Sequence, residues 1–214
     1  MINLPRVTLV AVEGVDANLA LKALKISAKQ INFAKIKLLS PQRPTDDLNC
    51  IEWVQIAPMN YVEYNRFILF NLSDYINTDF ALTVQTDGFV LNANSWTPEF
   101  EQYDYIGAAW LPDRIMMSEW VTQEAKITVN NNVGNGGFSL RSKKLLDATK
   151  NAPFACDGPE DAYICLNHYN YFTQQGIKFA PQEIAHIFSR EQFAWLTNTF
   201  GFHGDKGLIY GYTV

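Results

Sequence analysis

The first half of the chain alternates between apolar runs and segments with helical periodicity. Residues 7–12 form a run of apolar and β-branched residues, which is typical of a strand covered on both faces. Asp16 is in position to cap a helix over residues 17–29. Further strands are predicted at residues 35–39, 52–57 and 80–85, with a second helix at residues 61–72. This β-α-β-β-α-β order predicts an α/β fold with a mostly parallel sheet.

The second half has weaker periodicity. Residues 112–132 mix polar and apolar positions without a clear repeat and predict a long loop or an insertion, a kind of segment that often forms a lid or binds ligands. A helix is predicted at residues 161–175 and a strand at residues 177–180, and the tail from Ser189 reads as irregular and aromatic. Because no internal repeat or linker interrupts the 214 residues, we expect one domain over residues 1–214.

Composition argues against several classes of protein. The net charge of −5 and the absence of any Lys/Arg run argue against nucleic-acid binding. No segment approaches the roughly 20 apolar residues of a membrane span, and residues 7–12 are short for the core of a signal peptide. The three cysteines lack CxxC spacing, which indicates reduced thiols in a cytoplasmic protein rather than a zinc site.

The most informative segment is the glycine-rich block at residues 131–142, NNVGNGGFSLRS. Glycines at Gly134, Gly136 and Gly137 remove side chains where the backbone comes very close to another group. Ser142 is in position to cap a following helix. The block predicts the floor of a ligand site, and an ordinary Gly/Asn turn is the alternative.

A carboxylate follows the predicted strand at residues 80–85. The sequence there continues Thr86-Asp87-Gly88. Because ligands of parallel α/β sheets bind beyond the carboxyl ends of the strands, Asp87 is expected to face a ligand. The alternative is a turn aspartate, which Asp-Gly pairs often provide.

The C-terminal segment FGFHGDKG at residues 200–207 carries one of only three histidines. A neutral imidazole at His203 suits Mn²⁺-type metals, and Lys206 can meet a phosphate as a point charge. The alternative is a histidine in a flexible tail.

An acidic pair, Glu160 and Asp161, follows Pro159 at a predicted helix start. One carboxylate in such a place can take the proton of an attacking hydroxyl group as a general base. The alternative is that both acids only stabilise the positive end of the helix.

Taken in this order, these motifs resemble glycosyltransferases of the A-type nucleotide-sugar fold. The chain is most similar to an uncharacterised family of glycosyltransferase-like domains with a GNGGFSLR block, a later ED pair and a GFHG end, over residues 7–207. The resemblance implies a Rossmann-like α/β domain that transfers a sugar from a nucleotide-diphosphate donor, with a divalent metal, Mn²⁺ or Mg²⁺. It further implies polysaccharide biosynthesis on a glycan or lipid-linked acceptor, the latter with peripheral association at the inner face of the membrane.

The resemblance also implies roles for donor-binding residues. Asp87 corresponds to the last acid of the Asp-x-Asp metal motif, and His203 to a further metal ligand, although Gln85 stands where the motif has its first acid. The remaining contacts with the nucleoside, the sugar and the diphosphate of the donor are predicted to come from Glu13, Gly14, Thr86, Gly136, Gly137 and Lys206.

Asp161 is predicted to be the general base and Glu160 to orient the acceptor or the donor sugar. Inversion is preferred to retention, because a base candidate is visible and no dedicated nucleophile is. Two other functions stay open. A sugar nucleotidyltransferase is disfavoured, since residues 10–16 hold only Gly14 and no basic residue. A catalytically inactive nucleotide-sugar or carbohydrate-binding module is favoured by Gln85. Aromatic candidates for stacking on sugars are Trp96, Tyr105, Trp110 and Trp195, most of them expected in the core.

Overall fold

The computed structural model describes residues 1–193 and 195–212, and its centre is a six-stranded sheet. The strands are β1 (Ile2–Val12), β2 (Ile31–Ser40), β3 (Glu52–Gln55), β4 (Phe80–Thr83), β5 (Tyr105–Ile106) and β6 (Ser139–Ser142), in the spatial order β3-β2-β1-β4-β6-β5. β1 pairs in parallel with β2 and β4, and β2 with β3, whereas β6 is antiparallel to β4 and β5. The predicted α/β fold with a mostly parallel sheet is confirmed.

Helices cover both faces of the sheet. The longer ones are α1 (Ala17–Ala28), α2 (Tyr61–Phe70), α5 (Lys143–Lys150) and α8 (Gln182–Phe188). Leu9 of β1 lies in one apolar cluster with α1 and α8, and its neighbour Val10 lies in another with α2 and α5. Because successive side chains of a strand point to opposite faces, the all-apolar run of β1 requires cover on both sides.

The predicted caps explain where these helices begin. The Asp16 carboxylate accepts a hydrogen bond from the Leu19 backbone N–H, and the Ser142 hydroxyl accepts one from Leu145. Asn60 and Glu63 form a capping box at the start of α2. α2 ends at Phe70, and a 3₁₀ turn (Leu72–Tyr75) takes up the rest of the predicted helix.

The prediction of a long loop at residues 112–132 is wrong. The segment contains two short helices, α3 (Pro112–Met117) and α4 (Gln123–Thr128). Val121 and Ala125 are buried against Leu166, and this tertiary contact stabilises helices that are too short to show a clear period in the sequence.

Two further predictions in the second half need correction. The helix predicted at residues 161–175 is broken into α6 (Glu160–Ala162), a π-helical turn (Tyr163–Asn167) and α7 (Tyr169–Gln174). The strand predicted at residues 177–180 is reduced to an isolated bridge between Phe179 and Tyr105.

The C-terminal segment is held against the core. β7 (Ser189–Arg190) pairs in parallel with β8 (Gly201–Phe202), and a 3₁₀ turn (Leu208–Gly211) follows. Phe200 and Phe202 are buried, and Phe200 packs against Phe138 of the glycine-rich block. This packing fixes the position of His203, which comes directly after β8.

Within the described residues, no helix is long and apolar enough to cross a bilayer. Cys50 is an exposed thiol, and Cys156 and Cys165 are buried thiols; all three are free.

Candidate functional site

Segments that are far apart in the sequence meet at the carboxyl edge of the parallel strands. Strands β1 and β4 run side by side, with Val10 opposite Thr83, so the residues that follow them leave the sheet at the same edge. The glycine-rich block leads into β6, whose Ser139 is paired with Thr83. His203 and the acidic pair approach the same place from the C-terminal half.

The turn after β4 presents Asp87. Backbone hydrogen bonds join Gln85 and Gly88 in both directions, which closes a tight turn around Thr86 and Asp87. The Gln85 side-chain amide donates a hydrogen bond to the Tyr64 hydroxyl, 2.7 Å away, so that its oxygen faces His203. Asp87 is half-buried, and its hydrogen bond to His203 lowers the pKa of its carboxyl group.

His203 lies between two carboxylates. Its Nε2 is 3.4 Å from Asp87 Oδ1, and its Nδ1 is 3.2 Å from Glu191 Oε1. Burial alone would lower the pKa of His203, but the hydrogen bonds to Asp87 and Glu191 raise it to about 9. The two carboxylates therefore favour the protonated form of the imidazole. The Asn135 amide lies 2.9 Å from Nδ1, and Asn135 itself is buried in the left-handed conformation, with φ of 61°.

The glycines of the block make room for other side chains of the protein. A Cβ on Gly137 would lie 2.1 Å from His203 Nε2, and one on Gly136 would lie 1.8 Å from Glu160 Oε1. Both glycines are buried. The groups that come close to the backbone of this block are thus the side chains of His203 and Glu160. Their position does not support the predicted direct contact of a bound donor with Gly136 and Gly137.

Glu160 is engaged in a buried ion pair. Its Oε1 lies 2.8 Å from Arg141 Nη2, and the side chains are 6% and 1% exposed. The Glu160 backbone N–H donates to Asn65, a buried residue of α2. Arg141 stacks over the Tyr105 ring and donates to Ser139. Glu160 faces away from the cleft described below, so this position does not support the predicted contact with acceptor or sugar.

Asp161, the next residue, does face the cleft. It is half-buried, and its Oδ2 accepts a hydrogen bond of 2.9 Å from the Gly136 N–H. Its Oδ1 accepts one of 2.7 Å from the Ala162 N–H. Burial raises the pKa of Asp161, while these two N–H groups and the positive charge of Arg141 act in the opposite direction.

A cleft of about 330 Å³ opens beside Asp161 and His203. One wall comes from α3 and the chain after it, and the other from Pro159, α6 and Tyr61 of α2. Aromatic rings line it at Tyr61, Trp110 and Trp120. Of the aromatic residues proposed from the sequence, only Trp110 lines this cleft; Tyr105 is buried, Trp96 packs in the core, and Trp195 is exposed elsewhere.

The remaining predicted donor residues lie around the same edge of the sheet. Glu13 is half-buried after β1, where its carboxylate accepts hydrogen bonds from the Val15 and Asp16 backbone N–H groups. Gly14 is exposed, and a Cβ there would meet only the Met59 carbonyl oxygen, at 3.6 Å. Lys206 is exposed, and its charge contributes to the lowered pKa of Asp87.

The predicted metal site has a suitable set of donor atoms. Gln85 Oε1 and Asp87 Oδ1 lie 3.3 and 3.4 Å from His203 Nε2, so two oxygens lie near one nitrogen. Hard divalent cations such as Mn²⁺ accept this combination of ligands. In residues 1–193 and 195–212, no group of three His, Cys, Asp or Glu side chains could hold a metal. A cation at this place would need the Gln85 amide oxygen in place of a second acid.

Two solved structures of glycosyltransferases share this fold. The crystal structure of galactosyltransferase LgtC in complex with donor and acceptor sugar analogs is 15% identical, with a TM-score of 0.51 over 92% of this chain and 86% of that chain. The structure of a glycosyltransferase involved in the glycosylation of the major capsid of PBCV-1 is 12% identical, with a TM-score of 0.50 over 95% and 96% of the two chains. The chain thus has the A-type glycosyltransferase fold.

No curated protein sequence matches this chain. The model of the family described as "Protein of unknown function (DUF5672)" matches residues 56–203. That span is well over half of the chain, and it contains the Asp87 turn, the glycine-rich block, the acidic pair and His203. The protein therefore belongs to the DUF5672 family.

Proposed function

We propose that this protein is a glycosyltransferase that moves a sugar from a nucleotide-diphosphate donor to a glycan or lipid-linked acceptor, with inversion at the anomeric carbon. The observation that carries the proposal is that His203 and Asp161 line one cleft. His203 belongs to the Gln85–Asp87–His203 cluster, which has the chemistry of a diphosphate and metal site. Asp161 is a carboxylate with access to the same space.

Asp87, Gln85 and His203 are the residues that would hold a divalent cation, Mn²⁺ or Mg²⁺. Such a cation neutralises the charge that develops on the diphosphate leaving group. The hydrogen bonds to Asp87 and Glu191 raise the pKa of His203, so a cation held at its Nε2 would have to displace the imidazole proton. Lys206, three residues further on, supplies a point charge for the diphosphate. Glu13, Gly14 and Thr86 are the proposed contacts of the nucleoside and donor sugar.

Asp161 is the proposed general base. The acceptor hydroxyl oxygen forms a bond to the anomeric carbon while the bond from that carbon to the diphosphate oxygen breaks. The hydroxyl proton passes to the Asp161 carboxylate, and the nucleoside diphosphate leaves with the electron pair. The two N–H groups that bind Asp161 fix its orientation. Because the transfer is a single displacement, it inverts the anomeric configuration.

One observation favours a second candidate function. Gln85 replaces the first acid of the metal motif, and a protein that kept the fold but lost catalysis would be a nucleotide-sugar or carbohydrate-binding module. Asp161 fits both functions, since a carboxylate can act as a base or accept hydrogen bonds from sugar hydroxyl groups, so turnover of a donor is what separates the enzyme from the module. The free thiols at Cys50, Cys156 and Cys165 support a reducing, cytoplasmic compartment.

A thermal-shift screen of nucleoside diphosphates with and without Mn²⁺ tests the donor site. A ligand at 100 times its dissociation constant stabilises the folded protein by about 2.7 kcal/mol. We expect one nucleoside diphosphate to raise the melting temperature, and Mn²⁺ to increase that shift. Release of nucleoside diphosphate from the matching sugar donor then separates the enzyme from the binding module. Failure of every nucleotide to stabilise the protein would contradict both the glycosyltransferase and a module that binds nucleotide sugars.

A further inference from the structure

Each of the two glycine-containing motifs beside the cleft supports a tryptophan ring. A Cβ on Gly134, in the glycine-rich block, would lie 2.0 Å from Trp110 Cη2. A Cβ on Gly158, just before the acidic pair, would lie 2.8 Å from Trp120 Cε3. Both glycines therefore leave space for an indole ring, and both rings line the cleft.

The backbones of the two tryptophans are also fixed. Asn167 donates a hydrogen bond to the Trp120 carbonyl oxygen and accepts one from the Thr122 N–H, both at 2.9 Å. The Trp110 N–H donates to the Asn132 carbonyl oxygen at 2.7 Å. Trp120 nevertheless keeps 45% of its surface exposed. A large aromatic side chain that is fixed in place but exposed at a cleft is available to a ligand.

The polar groups of this cleft include two carboxylates next to the aromatic rings. Asp161 and Glu191 both line the cleft, and Asp161 is half-buried there. Within the described residues, the buried Glu191 Oε2 atom has no hydrogen-bond partner. Flat apolar walls beside carboxylates match a sugar ring, whose C–H face packs on an aromatic ring and whose hydroxyl groups donate hydrogen bonds.

We propose that Trp110 and Trp120 form the subsite for a pyranose ring of the acceptor, which places one acceptor hydroxyl at Asp161. This inference rests on the proposed function. It assigns the cleft to the acceptor because, of the cluster Gln85–Asp87–His203 on the donor side, His203 lines the cleft at its edge whereas Gln85 and Asp87 do not. The segment that carries Trp120, between α3 and α4, is therefore the acceptor-binding part of the chain.

Saturation-transfer NMR with methyl glycosides of glucose, galactose and N-acetylglucosamine tests the subsite without any donor turnover. Wild-type protein is expected to bind at least one of them. W120A should weaken that binding by about tenfold or more, as for an aromatic residue at the centre of a contact. W120F should restore part of it. W195A is the matched control, since Trp195 is exposed and does not line the cleft. Equal weakening in W120A and W195A, or no effect of W120A, would overturn the proposal.

Two further experiments follow. The first distinguishes a free glycan acceptor from a lipid-linked one, and the second distinguishes the acceptor subsite from the donor site. Octyl glycosides of the same sugars report whether an apolar chain, as in a lipid-linked acceptor, adds affinity to the ring. Binding of octyl but not methyl glycosides would overturn the assignment to a sugar ring. Added nucleoside diphosphate should leave methyl glycoside binding in place, and displacement would assign the cleft to the donor instead. Glycoside binding without nucleotide binding would contradict the donor site and leave the subsite standing.

Discussion

Arg141 and Glu160 form an ion pair of 2.8 Å that is almost fully buried beneath Gly136. The pair joins the start of α6 to strand β6 and thereby fixes the backbone that carries the next residue. Asp161, one position further, faces the cleft. Two adjacent acids thus have different surroundings, one as a structural partner of arginine and one as an accessible carboxylate.

Replacing Glu160 by glutamine should destabilise the protein strongly. E160Q leaves the charge of Arg141 buried without a counter-ion, and breaking a buried pair in this way costs about 3–5 kcal/mol. Urea unfolding measures the change in the free energy of unfolding. D157N is the control, because Asp157 pairs with Arg66 at the surface and should change stability by less than about 1 kcal/mol. A loss as small in E160Q as in D157N would contradict a structural role for the pair.

Replacing Asp161 by asparagine should reduce turnover with little effect on donor binding. Loss of a positioned base typically lowers the rate about 10²–10⁴-fold. D161N should lose turnover to this extent while its affinity for nucleoside diphosphate stays within a few-fold of wild type, measured by calorimetry. D157N again serves as the control. A rate loss of only a few-fold in D161N would mean that the acidic pair only stabilises the start of the helix.

The pH profile of kcat/KM reports the state of Asp161. Burial raises its pKa above the ordinary value of 3.8, and the base works only when ionised. Activity is therefore full at pH values above the raised pKa and falls as the pH drops through it. We expect an acidic limb centred above pH 3.8, with circular dichroism confirming that the protein stays folded. A limb at or below that value would exclude Asp161 as the titrating base.

Asp87 should matter for metal-dependent donor binding and not for the fold. D87N removes the one acid of the Gln85–Asp87–His203 cluster, and we expect it to lose most of the Mn²⁺-dependent affinity for nucleoside diphosphate in calorimetry. D79N is the matched control, because Asp79 precedes the same strand at its opposite end and pairs with Arg6 at the surface. Unchanged affinity in D87N would remove Asp87 from the site.

A methyl group on Gly137 should disturb His203. The Cβ of G137A would lie 2.1 Å from the imidazole, so the ring must move away from Asp87. We expect weaker Mn²⁺-dependent nucleotide binding in G137A. In G211A the added Cβ meets no atom within 4 Å, and binding should be unchanged. Equal affinities of the two variants would show that the imidazole position is not important for the donor.

The sequence predicts the parts of the fold that have strong local signals. The apolar run of β1, the Asp16 and Ser142 caps and the α/β order are local properties, and all were confirmed. The helices α3 and α4 were missed, because each is stabilised by contacts with residues distant in sequence and neither is long enough to show a period.

The sequence predicts the motifs of the candidate site. It does not predict which residues these motifs contact in the fold. Asp87, Asp161 and His203 stand in recognisable sequence contexts, but nothing in the sequence shows that Gly136 faces Glu160 or that Gly158 faces Trp120. Arg141 reads as one residue of a short strand, and its pairing with Glu160 depends on how β6 and α6 pack together. Glu191 has no motif of its own, and only the path of β7 and β8 brings it to His203.

The central claim is that the cleft catalyses inverting glycosyl transfer with Asp161 as the base. The most direct measurement follows an α-linked nucleotide-sugar donor by ¹H NMR with Mn²⁺, with water as the acceptor, for wild type and D161N. We predict that wild type releases the nucleoside diphosphate with the β anomer of the free sugar formed first, and that D161N is slower by about 10²-fold or more. Consumption of no donor in a panel of common nucleotide sugars, or equal rates in D161N and wild type, would contradict the account.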